Sequence, residues 1–74
     1  MASKKAEKSA ATCLKVRLAY FFDRKEFSAL TGLKTSSIHY YEHGLRTPRM
    51  SAMRKYIEIA AKKKIKLGIE DFQD

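Results

Sequence analysis

The opening stretch "MASKKAEKSA" has almost no apolar surface, so residues 1–9 read as a mobile basic arm carrying Lys4, Lys5 and Lys8. "AATCLKVRLAYFF" then turns apolar-rich and predicts a helix over residues 10–22, with Ser9 as its N-cap. Within it, Arg17 stands between Val16 and Leu18 and must either reach out to water or be held by a buried acid. In "DRKEFSALTG", Asp23 with Glu26 three residues later is a capping pair that restarts the helix. Phe27, Leu30 and Thr31 supply its inward side, and Gly32 ends it. Gly32-Leu33-Lys34 is a three-residue connector, after which Thr35 and Ser36 can start a third helix over 35–43, closed by Gly44. A helix, a short turn containing glycine and a second helix form the helix-turn-helix signature.

Residues 45–49, "LRTPR", form the next loop, where Thr47-Pro48 signals a helix start with proline in the first position. Met50, Met53, Ile57, Ala60 and Lys64 recur at three- and four-residue steps, a core stripe with Tyr56 beside it. Beyond Lys62-Lys63-Lys64, the residues Ile65, Leu67 and Ile69 alternate as in a short strand, while Ile69 and Phe72 equally suit one face of a terminal helical turn. The expectation is an all-α fold. A four-helix helix-turn-helix domain occupies residues 10–64, and a tail over 65–74 could hold a fifth helix or a short strand.

Size narrows the function. A chain of 74 residues is one small domain that buries only ~60% of its unfolded surface, with no room for a protease scaffold and its cleft. Its one cysteine, Cys13, allows no internal disulfide or thiol metal cluster, reads as a small apolar core residue, and suits a reducing cytoplasm. No apolar run approaches a membrane span, and residues 1–9 lack the apolar segment of a secretory signal, so no membrane association is expected. Sixteen Lys and Arg against eight Asp and Glu give a net charge of +8 and a pI near 9.8. A basic domain this small points to a polyanion, a nucleic acid first, over a merely solvated basic surface.

"SSIHYYEHG" could be read for chemistry, since His39, Glu42 and His43 make an H-x-x-E-H string of zinc-peptidase type. On a helix the two histidines share a face, but Glu42 is rotated by roughly 60° to 100° from them at ~100° per residue, and no third histidine exists. A catalytic metal needs a third protein ligand and an open position, so no metal, no cofactor and no enzyme activity are expected. The apolar side of the same helix, Ile38 and Tyr41 with Glu42 at its edge, leaves Ser36, His39, Tyr40 and His43 facing out. That face has donors and acceptors and no acid, as a helix reading base edges in a major groove requires. Thr35 and Ser36 lie at its N-terminal end, where the helix dipole favours anions.

"FSALTGLKTSSIHYYEHGLRTP" resembles the Cro/phage-repressor (Xre-like) helix-turn-helix family over about residues 13–61. The motif positions are Phe27-Ser28, Gly32, Ile38, Glu42, Gly44 and Pro48, followed by apolar Met50, Met53, Tyr56 and Ile57. The family often pairs an arginine of helix 1 with a recognition-helix glutamate 25 positions later; the resemblance therefore implies a buried ion pair between Arg17 and Glu42. Departures are Ser28 where alanine is usual, Lys34 where a Ser or Thr cap is usual, and Arg24 where a glutamine often holds phosphate.

What the resemblance implies is sequence-specific binding to double-stranded DNA by a transcriptional regulator of phage, prophage, plasmid or bacterial type. Thr35, Ser36, His39 and Tyr40 would read bases, while Arg24, Lys34, Ser37, His43, Arg46 and Arg49 would hold phosphates. A homodimer on a pseudo-palindromic operator is expected, its surface supplied by Ile65, Leu67, Ile69 and Phe72 unless these fold back on their own core. Two alternatives remain. The fold could serve a DNA-binding antitoxin or a protein-interaction module. "TGLKTSSIHYYEHGLRTPR" with the later "MRKY" also resembles the start of MerR-type regulators, but with a shortened wing and no counterpart for residues 10–22.

Overall fold

The computed structural model describes residues 7–73. Helices α1 (Glu7–Ala19), α2 (Arg24–Thr31), α3 (Thr35–Glu42) and α4 (Met50–Lys62) follow one another, and a 3-10 turn, Ile69–Phe72, closes the chain. The all-α, four-helix architecture is as the periodicity predicts, and no strand occurs among the described residues. Lys4 and Lys5 lie outside those residues, whereas Lys8 is an exposed member of the first turn of α1.

Helix α1 starts earlier than its pattern suggests. Ser9 is helical and fully buried rather than a cap, and it lines the inward face with Cys13 and Val16. This face packs on α3, α4 and the terminal turn. The helix stops at Ala19, three residues short of the expected end, because Phe21 adopts a left-handed φ of 57°. Helix α2 begins as predicted: the Asp23 carboxylate accepts from the Glu26 N–H at 2.8 Å, and the Glu26 carboxylate from the Asp23 N–H at 3.0 Å. Leu30, expected inside, is 42% exposed, so only Phe27 and Thr31 of that helix are core.

The start of α4 is a second correction. Arg49, not Thr47, occupies the cap position, and its carbonyl accepts from the Met53 N–H at 2.8 Å. Pro48 is buried in the preceding loop instead of opening the helix. The buried stripe is consequently Ala52, Met53, Tyr56, Ile59 and Ala60. Met50 is 48% exposed and Ile57 only partly buried, so the expected stripe is off by about a residue.

Tyr56 is the hub of the core. Its ring lies 5.6 Å from Phe27 of α2, 6.5 Å from Tyr41 of α3 and 5.8 Å from Phe72 of the terminal turn, centroid to centroid. Rings at these separations gain more than their buried area alone supplies. The Tyr56 hydroxyl is buried without a hydrogen bond; its polar neighbour is the Cys13 thiol. Burial pushes the Cys13 thiol up to about 12, so it stays protonated and behaves as an apolar residue.

The tail folds back over this core. Phe72 is fully buried, and Ile65 and Leu67 pack against the same cluster. The Asp71 carboxylate accepts from the Gly68 N–H at 2.8 Å, and the Thr12 hydroxyl of α1 donates to the Asp71 carbonyl at 2.8 Å. Of the four residues expected to supply a dimer surface, only Ile69, 38% exposed, faces outward. In a core this small, Phe72 adds apolar surface that the four helices alone do not supply.

Two substitutions test this arrangement by urea and thermal denaturation. Phe72→Ala should cost about 3–5 kcal/mol, a large part of the stability of so small a domain. Tyr56→Phe should gain about 1 kcal/mol by removing a buried, unsatisfied hydroxyl.

Candidate nucleic-acid interface

The turn between α2 and α3 is held by side chains at both ends. Gly32 takes φ +78°, and its N–H bonds the Ser28 carbonyl at 2.8 Å. The Ser28 hydroxyl donates to the Leu33 carbonyl, which gives a function to a serine where alanine was the expected residue. Thr31 donates to the Phe27 carbonyl at 2.9 Å and accepts from the Leu33 N–H at 3.1 Å. From α4, the Lys55 ammonium reaches the Thr31 carbonyl at 2.6 Å. The angle at which α3 leaves the turn is thus fixed from two directions.

Helix α3 starts at Thr35 with the Lys34 carbonyl accepting from the Ile38 N–H at 3.0 Å. No side chain caps it, so Thr35 and Ser36 stay exposed and their hydroxyls are not spent on the helix's own first turn. Ile38 and Tyr41 are buried, as the pattern predicts. His39 and Tyr40 are half-buried and His43 is exposed. The histidine rings lie 4.3 Å apart at a tilt of 41°, and His39 meets the Tyr40 ring edge-on at 5.8 Å.

The following loop folds back over the end of α3. The N–H groups of Leu45 and Arg46 both point at the Tyr40 carbonyl, at 2.9 and 3.4 Å. Gly44, at φ +71°, makes that reversal feasible. As a result the Arg46 guanidinium lies over the Tyr40 ring, 4.7 Å from its centroid. Between the starts of α3 and α4 runs an open groove of about 750 Å³, lined by Lys34, Ser36, Ser37, Tyr40, Arg46 and Arg49 among others. Five of the residues expected to meet DNA therefore share one groove with Arg49. Thr35 adjoins it in sequence, and His39 and His43 continue along α3.

Arg24 is placed differently. The Glu42 side chain is 2% exposed and receives Arg17 on both oxygens, Nε to Oε2 at 2.6 Å and Nη2 to Oε1 at 3.0 Å. Arg24 Nε joins at 3.2 Å on Oε1, and its Nη2 meets His43 Nε2 at 3.1 Å. An arginine only donates, so that contact requires an unprotonated Nε2 on His43. The remaining Arg17 nitrogen donates to the Phe22 carbonyl at 2.8 Å. The hydrogen bond to Glu42 holds the Arg17 guanidinium above its already high usual value. Arg24 is therefore first a partner of Glu42, with part of its guanidinium left exposed, a role that spacing alone did not reveal.

Within the H-x-x-E-H string, the Glu42 carboxylate is occupied by two guanidiniums. Among the described residues no group of three or more His, Cys, Asp or Glu side chains could hold a metal ion. Nor is any helix among them long and apolar enough to cross a membrane.

By structure, then, the class is a four-helix domain with a helix-turn-helix between α2 and α3. No protein-family model matches the chain, and no curated protein or solved structure is significantly similar to it.

Glu42→Ala should destabilise the domain by about 3 kcal/mol, since it strands a largely buried guanidinium. Arg24→Ala, at the exposed end of the same cluster, should cost under about 1 kcal/mol. Replacing both Arg17 and Glu42 by methionine should recover most of the Glu42→Ala loss. Equal melting temperatures for Glu42→Ala and the unaltered chain would remove the ion pair from the account of the fold.

Proposed function

We propose that the chain binds double-stranded DNA sequence-specifically, with α3 in the major groove, as a transcriptional regulator of phage, plasmid or bacterial type. The observation that carries this reading is the sorting of charge around α3. Its only acid, Glu42, is drawn inward and neutralised, while Lys34, Arg46 and Arg49 line the groove beside its exposed polar start. The surface left outside offers hydroxyl, imidazole and phenol groups to base edges and cations to phosphates. A net charge of +8 supports the same polyanion.

In this reading Thr35, Ser36, His39 and Tyr40 read bases. Arg46 holds Tyr40 in position through the stacked guanidinium and adds charge towards the backbone. Lys34, Ser37, His43, Arg46 and Arg49 hold phosphates, and Arg24 does so with whatever Glu42 leaves it. One such helix sees only a few base pairs, so two copies on half-sites ~34–36 Å apart are proposed. The MerR-like alternative fits less well, because residues 10–22, which it leaves without a counterpart, contain most of a helix packed directly on α3.

Gel shifts at rising salt, followed by selection from random duplexes, test the proposal. Arg49→Ala should weaken binding to every duplex and flatten the salt slope by about one unit. Tyr40→Ala should relax preference at one or two positions, each worth ~1–3 kcal/mol. No shift at low salt, or a Tyr40→Ala loss that is equal for all sequences, would overturn DNA reading by α3.

A further inference from the structure

Lys55 is an exposed residue of α4 whose charge is already committed inside the fold. Its ammonium donates to the Thr31 carbonyl at 2.6 Å. Thr31 ends α2, so no N–H of that helix can reach its carbonyl. The last turn of α2 has no basic residue of its own, although a helix C-terminus favours a cation. Helix α4 supplies that cation from across the fold. The seat is close as well as bonded: a Cβ on Gly32, the next residue, would lie 3.3 Å from the Lys55 nitrogen.

This contact joins the two walls of the groove. Gly32, Leu33 and Lys34 line it on the turn side. Ser51 and Ala52 line it from α4, and Lys55 follows them by one turn on the same face of that helix. The Tyr56 ring also holds α4 against Phe27 and Tyr41, but apolar packing is non-directional. A charge-assisted hydrogen bond adds a defined distance and direction between α4 and the turn. What lies at the two ends of that link matters for binding. Arg49 caps α4, and Thr35, Ser36, His39 and Tyr40 follow the turn on α3. A duplex has to meet both at once, because phosphate contacts set the register in which base contacts specify.

We propose that Lys55 is a positioning residue for base reading. It ties α4 to the turn before α3, sets the spacing between the phosphate-holding Arg49 and the reading face of α3, and does not itself touch DNA. The role rests on the reading of α3 as a base-reading helix.

The test uses the full chain, a duplex selected from random sequence and a mixed-sequence duplex. Lys55→Met keeps an unbranched stem and removes donor and charge; Lys55→Arg keeps both. Lys55→Met should bind the selected duplex about tenfold more weakly and the mixed one within about threefold of the unaltered chain, the pattern expected when base contacts lose register. Its salt slope should match that of the unaltered chain, unlike the slope of Arg49→Ala, because no phosphate contact is lost. Lys55→Arg should restore most of the selectivity. A merely structural lysine would change the melting temperature and leave the ratio between the two duplexes alone. In the free protein, Lys55→Met should speed amide hydrogen exchange at Gly32 and Leu33, whose N–H groups bond within the turn, by at least about fivefold relative to amides of α1.

A salt slope flattened by about one unit would make Lys55 a phosphate ligand and overturn the proposal. So would an equal loss on both duplexes, or unchanged exchange at the turn. Faster exchange with unchanged selectivity would overturn the role of Lys55 and leave base reading by α3 in place. No shift of any duplex by the unaltered chain would overturn base reading itself, and the role of Lys55 with it.

Discussion

Glu42 is a carboxylate with almost no access to water, placed at the last turn of α3 and answered by guanidiniums from α1 and α2. Three helices that touch at one charge cannot shift independently. Moving α3 along its axis would break a two-pronged bond to Arg17, and stranding that arginine costs several times what an exposed ion pair contributes. The cluster sets where the outward face of α3 points. It also sets what that face lacks, since the helix's only acid is consumed inside. An orientation and a sign of potential come from the same three side chains.

The other constraint is scarcity of apolar material. Tyr56 gathers rings from α2, α3 and the terminal turn, and no single pair of helices would bury it alone. That is why the tail is spent on the core. A segment whose alternation suits a strand becomes instead a 3-10 turn that inserts Phe72 and accepts a bond from Thr12. The unsatisfied hydroxyl of Tyr56 is a small cost of using a tyrosine where its ring is needed.

Local chemistry was legible from sequence and register was less so. The Asp23–Glu26 cap, the left-handed Gly32 and the inward pair Ile38 and Tyr41 all depend on neighbours within a few residues, and all appear as read. The Arg17–Glu42 bond followed from a family resemblance that no present comparison supports, yet the geometry is there. Misreadings occurred where the pattern was degenerate. Helix α1 starts at Glu7, ahead of the apolar stretch that marked it, because Glu7 and Lys8 carry no hydrophobic signal. In α4, Met50 and Ile57 compete in the pattern with Ala52 and Ile59, and the latter two are the ones buried. The engagement of Arg24 by Glu42 and His43 could not be read, since it depends on the angle between α2 and α3.

Backbone strain separates residues kept for the fold from residues kept for something else. The chain puts glycine at two left-handed positions where only the fold is at stake, Gly32 at φ 78° and Gly44 at φ 71°. At a third, Lys64 at φ 60°, a polar side chain just beyond α4 remains in water, where it costs little beyond the strain. Phe21 at φ 57° fits neither case, because it combines strain with an apolar ring that is 92% exposed. If stability alone set this residue, glycine would be better on both counts. The two exposed leucines that precede it on α1 extend the same imbalance along more than one turn of helix. Such a strip is kept in water only at a continuing cost to the fold.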